Sequence, residues 1–298
     1  MIPYVRELQF EYGRVDQVSP LIRRVIARNP GPFTYLGTGT YIVGHGEVAV
    51  IDPGPDLPEH LEAILAATAG ERITAIIVTH HHSDHSPLAG PLKARTGATI
   101  YGCALAAEVE HDPAEVRLEA EADTAFTPDV STCGGGRIAG PGWTLEAIPT
   151  PGHTSNHIAY ALLEENALFT GDHVMGWSTT VITPPDGDMT DYMESLERVR
   201  AGGFSTLWPT HGPPVREVAP FLEAYVAHRR ARENQILQAL QAGPARIADL
   251  VPRLYSDVDP RLHPAAARSM LAHMIDLVRR GKVHTEGEPQ PGGEYRLA

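Results

Sequence analysis

A cluster of metal-binding side chains stands out near the first third of the chain. The stretch THHHSDHS, residues 79–86, holds four histidines and one aspartate. His80 and His82 are two positions apart on a segment predicted to be extended, so their imidazoles point to the same side. Asp84 and His85 follow where the chain is predicted to turn into a helix, and they face a second position nearby. The HxHxDH pattern therefore indicates two adjacent metal positions that still lack ligands.

The missing ligands are expected at the ends of other strands. His153 in TPGHTSNH, Asp172 in LFTGDH and His211 in WPTHGPP each come just after a predicted strand. Imidazole and carboxylate ligands suit zinc, and manganese, iron or cobalt are alternatives. Five histidines and two aspartates at strand ends are the ligand inventory of a dinuclear zinc hydrolase. We therefore expect two zinc ions per chain, with manganese or iron as alternatives.

Three other histidines near these ligands receive structural interpretations. His81 alternates away from His80 and His82, so we expect it to be exposed or packed. His157 is predicted to be a structural imidazole or a hydrogen-bond partner of a ligand. His173 follows Asp172 and could face either way.

Alternating strands and helices are predicted to position the ligands, which favours an α/β core. Residues 40–54 predict two strands around a Gly-His-Gly turn, and residues 73–79 predict a strand buried on both faces. Residues 56–68 predict a helix with Asp56 as its cap. Residues 111–142 show no convincing periodicity, and CGGGRIAGPG within them indicates a turn-rich stretch. The remaining predicted strands are 98–102, 144–150, 157–163, 167–172 and 206–212, and the remaining helices are 87–96, 104–110 and 188–201.

The pattern changes near residue 220. Helices are predicted at 221–240, 246–255 and 263–281, followed by a terminal hairpin, which is the order found in a winged helix. The third helix carries an apolar stripe that includes Met270 and Met274. We therefore expect this helix to pack against the rest of the protein rather than to enter a nucleic-acid groove. The sequence thus predicts a catalytic domain over 1–220 and a winged-helix domain over 221–298.

The ligand pattern resembles that of the metallo-β-lactamase superfamily. The stretches NPGPFTYLGTGTYIVG (29–44) and ENALFTGDHVMGWSTTVI (165–182) are further similar to the β-lactamase-like protein 2 group. The resemblance implies an αββα sandwich with the metals at one edge, followed by a small C-terminal winged helix. Gly39 and Thr210 depart from the residues common in that group, Asn and Gly, and neither departure removes a ligand. The resemblance assigns His80, His82 and His153 to one metal, Asp84, His85 and His211 to the other, and Asp172 to the bridge.

Charge and cysteine content indicate which partners and which cellular compartment to expect. The net charge is −13, and residues 225–298 hold 11 Lys/Arg and 8 Asp/Glu. Bulk electrostatics therefore argue against a dedicated nucleic-acid binder. Two cysteines are too few for a disulfide framework, so we expect a reducing compartment and a small buried hydrophobic role for Cys103. No apolar run approaches the length of a membrane span and no secretory signal is visible, which favours a cytoplasmic protein with no membrane partner.

The expected function is hydrolysis of a small-molecule substrate. A metal-bridging hydroxide would attack an ester, thioester or lactone carbonyl, with Asp84 and Asp172 as catalytic residues. A metal-dependent single-stranded RNA endonuclease stays open, although Arg229, Arg230 and Arg232 are expected to form a solvated face rather than contact a backbone. An iron-dependent persulfide dioxygenase, a non-enzymatic sensor or scaffold, and a homo-oligomer also stay open.

Overall fold

Two facing β-sheets form the first part of the molecule. The computed structural model describes residues 2–105, 122–256 and 258–298. The first sheet has seven strands, and their order in space is their order along the chain. The last four strands are parallel. Its strands are β1 Asp16–Gln17, β2 Ile22–Ile26, β3 Gly39–Val43, β4 Glu47–Ile51, β5 Arg72–Ile77, β6 Thr99–Gly102 and β7 Val130–Ser131.

The second sheet has the spatial order β12-β11-β10-β9-β8, with β11 and β12 parallel and the other pairs antiparallel. Its strands are β8 Gly136–Gly140, β9 Trp143–Pro149, β10 Ile158–Leu162, β11 Ala167–Gly171 and β12 Thr206–Pro209.

Helices cover both outer faces of the sandwich. Helices α1 (Pro58–Ala67) and α2 (Ala89–Thr96) pack on the first sheet through Ile64 and Leu92. Helices α3 (Met189–Ala201) and α4 (Val218–Leu240) cover the second sheet. Apolar side chains fill the space between the two sheets, and they include the large side chains of Trp143 and Trp208. The predicted αββα sandwich is confirmed, and its central layer fixes the strand ends that carry the candidate ligands.

The C-terminal residues form the predicted winged helix. Helices α5 (Ile247–Leu254) and α6 (His263–Arg279) pack against the end of α4 and a small sheet in the order β13-β15-β14. Met270 and Met274 are fully buried in this cluster, as the apolar stripe predicts. The predicted domain boundary between residues 220 and 221 falls inside α4 and stays a prediction. The strands are β13 Ala245–Arg246, β14 Val283–Thr285 and β15 Glu294–Leu297.

The expectation for the cysteines is wrong. Cys103, expected to be a small buried hydrophobic residue, is only half-buried and forms a disulfide with Cys133. Strands β6 and β7 are parallel neighbours that pair Gly102 with Ser131, so residues just beyond their ends come close together. A separation of 30 positions with no CxxC spacing gives no local sign of this pairing.

Two local predictions are also corrected, the second only in part. Helix α1 begins after Leu57 without a side-chain cap, so Asp56 does not cap it. The stretch CGGGRIAGPG has turns at 133–134 and 141–142, as predicted, but its middle is strand β8, because residues 136–140 form a hairpin with β9 whose bonds do not depend on apolar side chains. The helix predicted over 104–110 lies from residue 106 onward outside the described residues. Among the residues described, no helix has the length and apolar content needed to cross a bilayer.

Candidate metal centre

The histidine-rich loop leaves the carboxyl end of β5 at the edge of the sandwich. Nε2 of His80 lies 3.0 Å from Nδ1 of His82, and Nε2 of His153 lies 3.3 Å from the same Nδ1. His153 reaches this point from the turn after β9. Gly152 permits that turn, because it has φ 134° and an added Cβ would lie 2.3 Å from the Tyr192 backbone. Three imidazole nitrogens thus converge where one cation could bind them all.

A second group of ligand atoms lies beside the first. Nε2 of His211 lies 3.0 Å from Oδ2 of Asp84, and Nε2 of His85 lies 3.6 Å from Oδ1 of Asp84. His211 enters from the end of β12, which runs parallel to β11. Asp84, His85 and His211 therefore offer a second position for an ion.

Asp172 lies between the two groups. Its Oδ1 is 3.5 Å from Nε2 of His211 and 3.7 Å from Nε2 of His85, while its Oδ2 is 3.9 Å from Nε2 of His153. Asp172 follows Gly171, where an added Cβ would lie 2.6 Å from Nε2 of His157. One carboxylate thus faces both positions, which is the placement expected of a bridge.

The hydrogen bonding of the cluster fits bound cations. Asp84 Oδ1, His85 Nε2 and Asp172 Oδ1 are buried, and none has a hydrogen-bond partner among the described residues. His211 Nε2 is also buried, and its 3.0 Å contact with Asp84 Oδ2 is too poorly aligned to be a hydrogen bond. Buried polar atoms without partners are costly and therefore rare. Nitrogen and carboxylate oxygen are donors that divalent metals such as zinc accept. The atoms left unpaired are those that would bind a divalent metal.

The opposite edges of the imidazoles are held by protein acceptors, which fixes their orientation. Nδ1 of His85 donates to Oδ2 of Asp52 across 2.9 Å. Asp52 also accepts from the Thr79 backbone nitrogen, from the Thr79 hydroxyl and from the Thr210 hydroxyl. No motif in the sequence marks Asp52 as part of the site. Its position at the end of β4, next to β5, is the signal that could have identified it.

Two other ligands have comparable supports. Nδ1 of His153 donates to the carbonyl of Val181 across 2.8 Å. Nδ1 of His211 lies 3.3 Å from the carbonyl of Gly37. Each contact leaves Nε2 of the ring facing the cluster.

The remaining histidines support the site from outside. His157 accepts from the Asp172 backbone nitrogen at Nε2 and donates to the Thr150 hydroxyl at Nδ1. The sequence left its role open, and the structure shows both a buried ring and a contact with a candidate ligand. His81 is buried and hydrogen-bonded to Asn156. His173 is buried against the ring of Tyr192.

Burial and nearby charges shift the pKa values of the candidate ligands in opposite directions. Burial, and then the charge of His85, lower the pKa of His80 well below its ordinary value. For His85 burial also acts to lower the pKa, but the carboxylates of Asp84 and Asp52 outweigh it and raise the pKa well above its ordinary value. Burial opposes ionisation of Asp84, yet His85 and His211 lower its pKa to about 2. The triple-histidine side thus favours neutral ligands and the carboxylate side favours anionic ones, which matches a site for cations.

A cavity of about 190 Å³ opens onto the cluster. His82, Asp84, His153 and Asp172 form one wall. The winged-helix side contributes Tyr255, Val258, Leu262, Ala265 and Ala266. The site is therefore a cleft between the catalytic fold and the winged helix, and apolar side chains of the winged helix form part of its wall.

Comparison with known proteins agrees with this geometry. Residues 35–211 match the profile described as the metallo-beta-lactamase superfamily, and residues 247–292 match the beta-lactamase associated winged helix domain. The chain belongs to the metallo-beta-lactamase superfamily. It is a metal-dependent hydrolase of that superfamily, as the sequence predicts.

Relatives across most of the chain point to one group within the superfamily. The Beta-lactamase-like protein 2 homolog of Drosophila melanogaster is 30% identical over 90% of this chain and 91% of its own length. The Atrochrysone carboxyl ACP thioesterase of Aspergillus fumigatus is 34% identical over 76% of this chain and 67% of its own length. The resemblance to the β-lactamase-like protein 2 group is thereby confirmed.

A solved structure shows the same fold. The metallo-beta-lactamase family protein of Thermus thermophilus superposes with a TM-score of 0.74 at 23% identity, over 95% of this chain and all of the other.

Proposed function

We propose that this chain hydrolyses the thioester or ester bond of a small acyl substrate at a dinuclear zinc centre. The observation that carries the proposal is the cleft itself, in which two converging ligand groups face an apolar wall from the winged helix. Fungal relatives named as acyl carrier protein thioesterases support an acyl substrate. A lactone would present the same carbonyl chemistry.

The seven predicted ligands have separate proposed roles. His80, His82 and His153 would hold one ion, Asp84, His85 and His211 the other, and Asp172 both. Two divalent ions, when bound, supply an ionised water near neutral pH and charge stabilisation for the carbonyl oxygen. Manganese or iron would suit the same donors.

The protein groups orient the substrate and handle the proton. The apolar wall removes water from the acyl part and places its carbonyl beside Asp84 and Asp172. Asp84 is a buried carboxylate with two oxygens, so the oxygen that does not hold the ion can hold the proton of the attacking water and return it to the departing thiol or alcohol. Asp84 and Asp172 are therefore the proposed catalytic residues.

The surroundings of the cleft do not favour an RNA backbone. Binding to a polynucleotide requires a row of exposed cations. Arg230 is paired with Glu197, Arg279 with Asp188, and Arg280 with Glu233. Among the described residues, these cations near α3 and α4 are already neutralised.

Parallel assays of the purified protein test the proposal. Zinc-loaded protein is incubated with acyl thioesters of N-acetylcysteamine, with a lactone and with single-stranded RNA, and thiol release, acid release and strand cleavage are measured. We expect thiol release that disappears after chelation and returns with zinc. RNA cleavage without hydrolysis of any carbonyl substrate would overturn the proposal.

A further inference from the structure

The cleft has a buried positive charge that comes from helix α4. Arg229 of α4 is 5% exposed and lines the same cavity as His82 and Asp84. The prediction of a solvated arginine face is therefore wrong for Arg229, although Arg230 is exposed as predicted. A guanidinium remains charged at all ordinary pH values. This buried group therefore needs a compensating partner.

The protein itself compensates Arg229 only in part. Nη2 donates to the carbonyl of Thr180, and the guanidinium lies over the ring of Tyr192 with its carbon 5.0 Å from the centroid. Nε has no acceptor among the described residues. An isolated charge that is buried in a protein is strongly unfavourable. Removing one partner of a buried ion pair is destabilising for the same reason, because it leaves the other charge unpaired.

The nearby carboxylates are engaged elsewhere. Glu197 pairs with Arg230, and Glu233 pairs with Arg280 and Lys282. Within the described parts of the chain, no carboxylate forms an ion pair with Arg229. Arg232, one turn further along α4, also lines the cavity, so a second cation adds to the same charge.

Arg232 is only half-buried and lies over the ring of Tyr255, 3.8 Å from its centroid. The same cavity is also lined by apolar side chains of the winged helix, including Val258, Leu262 and Ala265. A molecule that reaches both the ligand cluster and Arg229 would therefore carry a reactive carbonyl and an anion, with apolar parts against these side chains.

We propose that Arg229, assisted by Arg232, binds a carboxylate carried by the acyl part of the substrate. The substrate class is then a half-thioester or half-ester of a dicarboxylic acid, or an acyl group with an equivalent distal carboxylate. This inference rests on the proposed acyl hydrolase function and adds a specificity site to it. A guanidinium and a carboxylate form a strong charge-assisted pair.

Matched substrates test the proposal without requiring any variant. Two series of N-acetylcysteamine thioesters are compared, the mono-thioesters of succinic to suberic acid and the neutral butyryl to octanoyl thioesters. The leaving group is uncharged in both series, so only the acyl end differs. We expect kcat/KM of the best carboxylated member to exceed that of its neutral counterpart by roughly 10- to 100-fold, the range of a hydrogen bond to a charged group.

Variants then locate the preference at Arg229. Arg229→Gln should bring the ratio of the two kcat/KM values close to one, and Arg229→Lys should retain part of it. The ratio is informative even if a variant folds less well, because a loss of folded protein lowers both rates equally. Arg230→Gln is the matched control on the same helix, and its ratio should equal that of the wild type.

The outcomes separate this inference from the proposed function. Equal hydrolysis of both series by the wild type overturns the carboxylate site and leaves the acyl hydrolase intact. Hydrolysis of neither series, and of no ester or lactone, overturns both. A further set of thioesters, with pantetheine or phosphopantetheine as the leaving group, tests whether the anion that Arg229 binds lies in the leaving group instead. If the ratio between those two leaving groups, rather than the acyl ratio, collapses in Arg229→Gln, the anion belongs to the leaving group and the proposal is wrong.

Discussion

Nδ1 of His85 donates a hydrogen bond to Oδ2 of Asp52 across 2.9 Å, and both side chains are fully buried. The same carboxylate accepts from Thr79, before the histidine-rich loop, and from Thr210, before His211. Asp52 thereby connects the ends of three strands that lie in two different sheets. It fixes the tautomer of His85 so that Nε2 faces the cluster.

Asp52→Asn should weaken metal binding without removing a ligand. The amide nitrogen of asparagine cannot accept the bonds that Asp52 now accepts, so the orientation of His85 is lost. Such supporting residues typically contribute about 10- to 100-fold in metal affinity. Metal titration with a competing chelator measures the change. Asp56→Asn, an exposed carboxylate on the neighbouring loop, serves as the control, and equal affinities for the two variants would contradict the role of Asp52.

Asp172→Ala should abolish most turnover while the fold survives. The variant loses the carboxylate that faces both ligand groups. We expect turnover to fall by at least ~100-fold. That is the upper end of the loss caused by replacing a residue that only supports a metal ligand, whereas Asp172 is itself a candidate ligand. Metal content by mass spectrometry and circular dichroism accompany the assay. Glu223→Gln on the exposed side of α4 is the control. Full activity with full metal content in Asp172→Ala would rule out the bridge.

His60 should make the protein less stable in acid. Burial lowers its pKa to about 4, and its Nε2 meets the Thr40 hydroxyl while Nδ1 has no partner among the described residues. The unfolded chain binds the proton near pH 6.5, so the stability is fully present above that pH and is lost as the pH falls towards 4. The loss amounts to about 3 kcal/mol.

Urea unfolding of metal-free protein at pH 7.5 and at pH 4.5 measures this loss. His60→Gln should show a smaller decrease in the free energy of unfolding between the two pH values than the wild type. His284→Gln changes an exposed histidine and should behave as the wild type does. An unchanged decrease in His60→Gln would assign the acid sensitivity to other groups.

Ala265→Phe should block the substrate cleft. Ala265 is buried and contributes to the wall of the cavity that also contains the ligands His82, Asp84, His153 and Asp172. The larger ring would fill the space of the acyl part, so we expect KM to rise at least ~10-fold, in line with the cost of overpacking. Metal content should not change, because Ala265 is neither a candidate ligand nor a hydrogen-bond partner of one. Ala231→Phe on the exposed face of α4 is the control, and a wild-type KM in Ala265→Phe would place the substrate elsewhere.

The candidate ligands could be predicted because their signals are local. His80, His82, Asp84 and His85 stand within one short loop, and the others directly follow apolar strands. The role of Asp52 depends instead on β4 lying parallel to β5, which no nearby residue indicates. The residues that line the cleft could not be named from the sequence, because the wall around Val258 depends on how the winged helix packs on α3 and α4.

Other features were hidden for similar reasons. The disulfide joins residues 30 positions apart through the pairing of β6 with β7. Strand β8 is rich in glycine and lacks apolar alternation, so only its partner β9 reveals it. Arg229 and Arg230 are adjacent in sequence yet differ completely in burial. Composition alone does not separate two such neighbours.

Helix α4 belongs to two hydrophobic cores at once. Its first half buries Phe221 and Tyr225 against the second sheet, and its second half buries Ile236 and Leu240 in the winged helix. At 23 residues it is about 34 Å long, and it takes the place that a flexible linker would have. The two domains should therefore melt in one cooperative transition, with equal calorimetric and van't Hoff enthalpies. In evolutionary terms, the winged helix of this chain is not an exchangeable module, because replacing it would also remove part of the catalytic domain's own core.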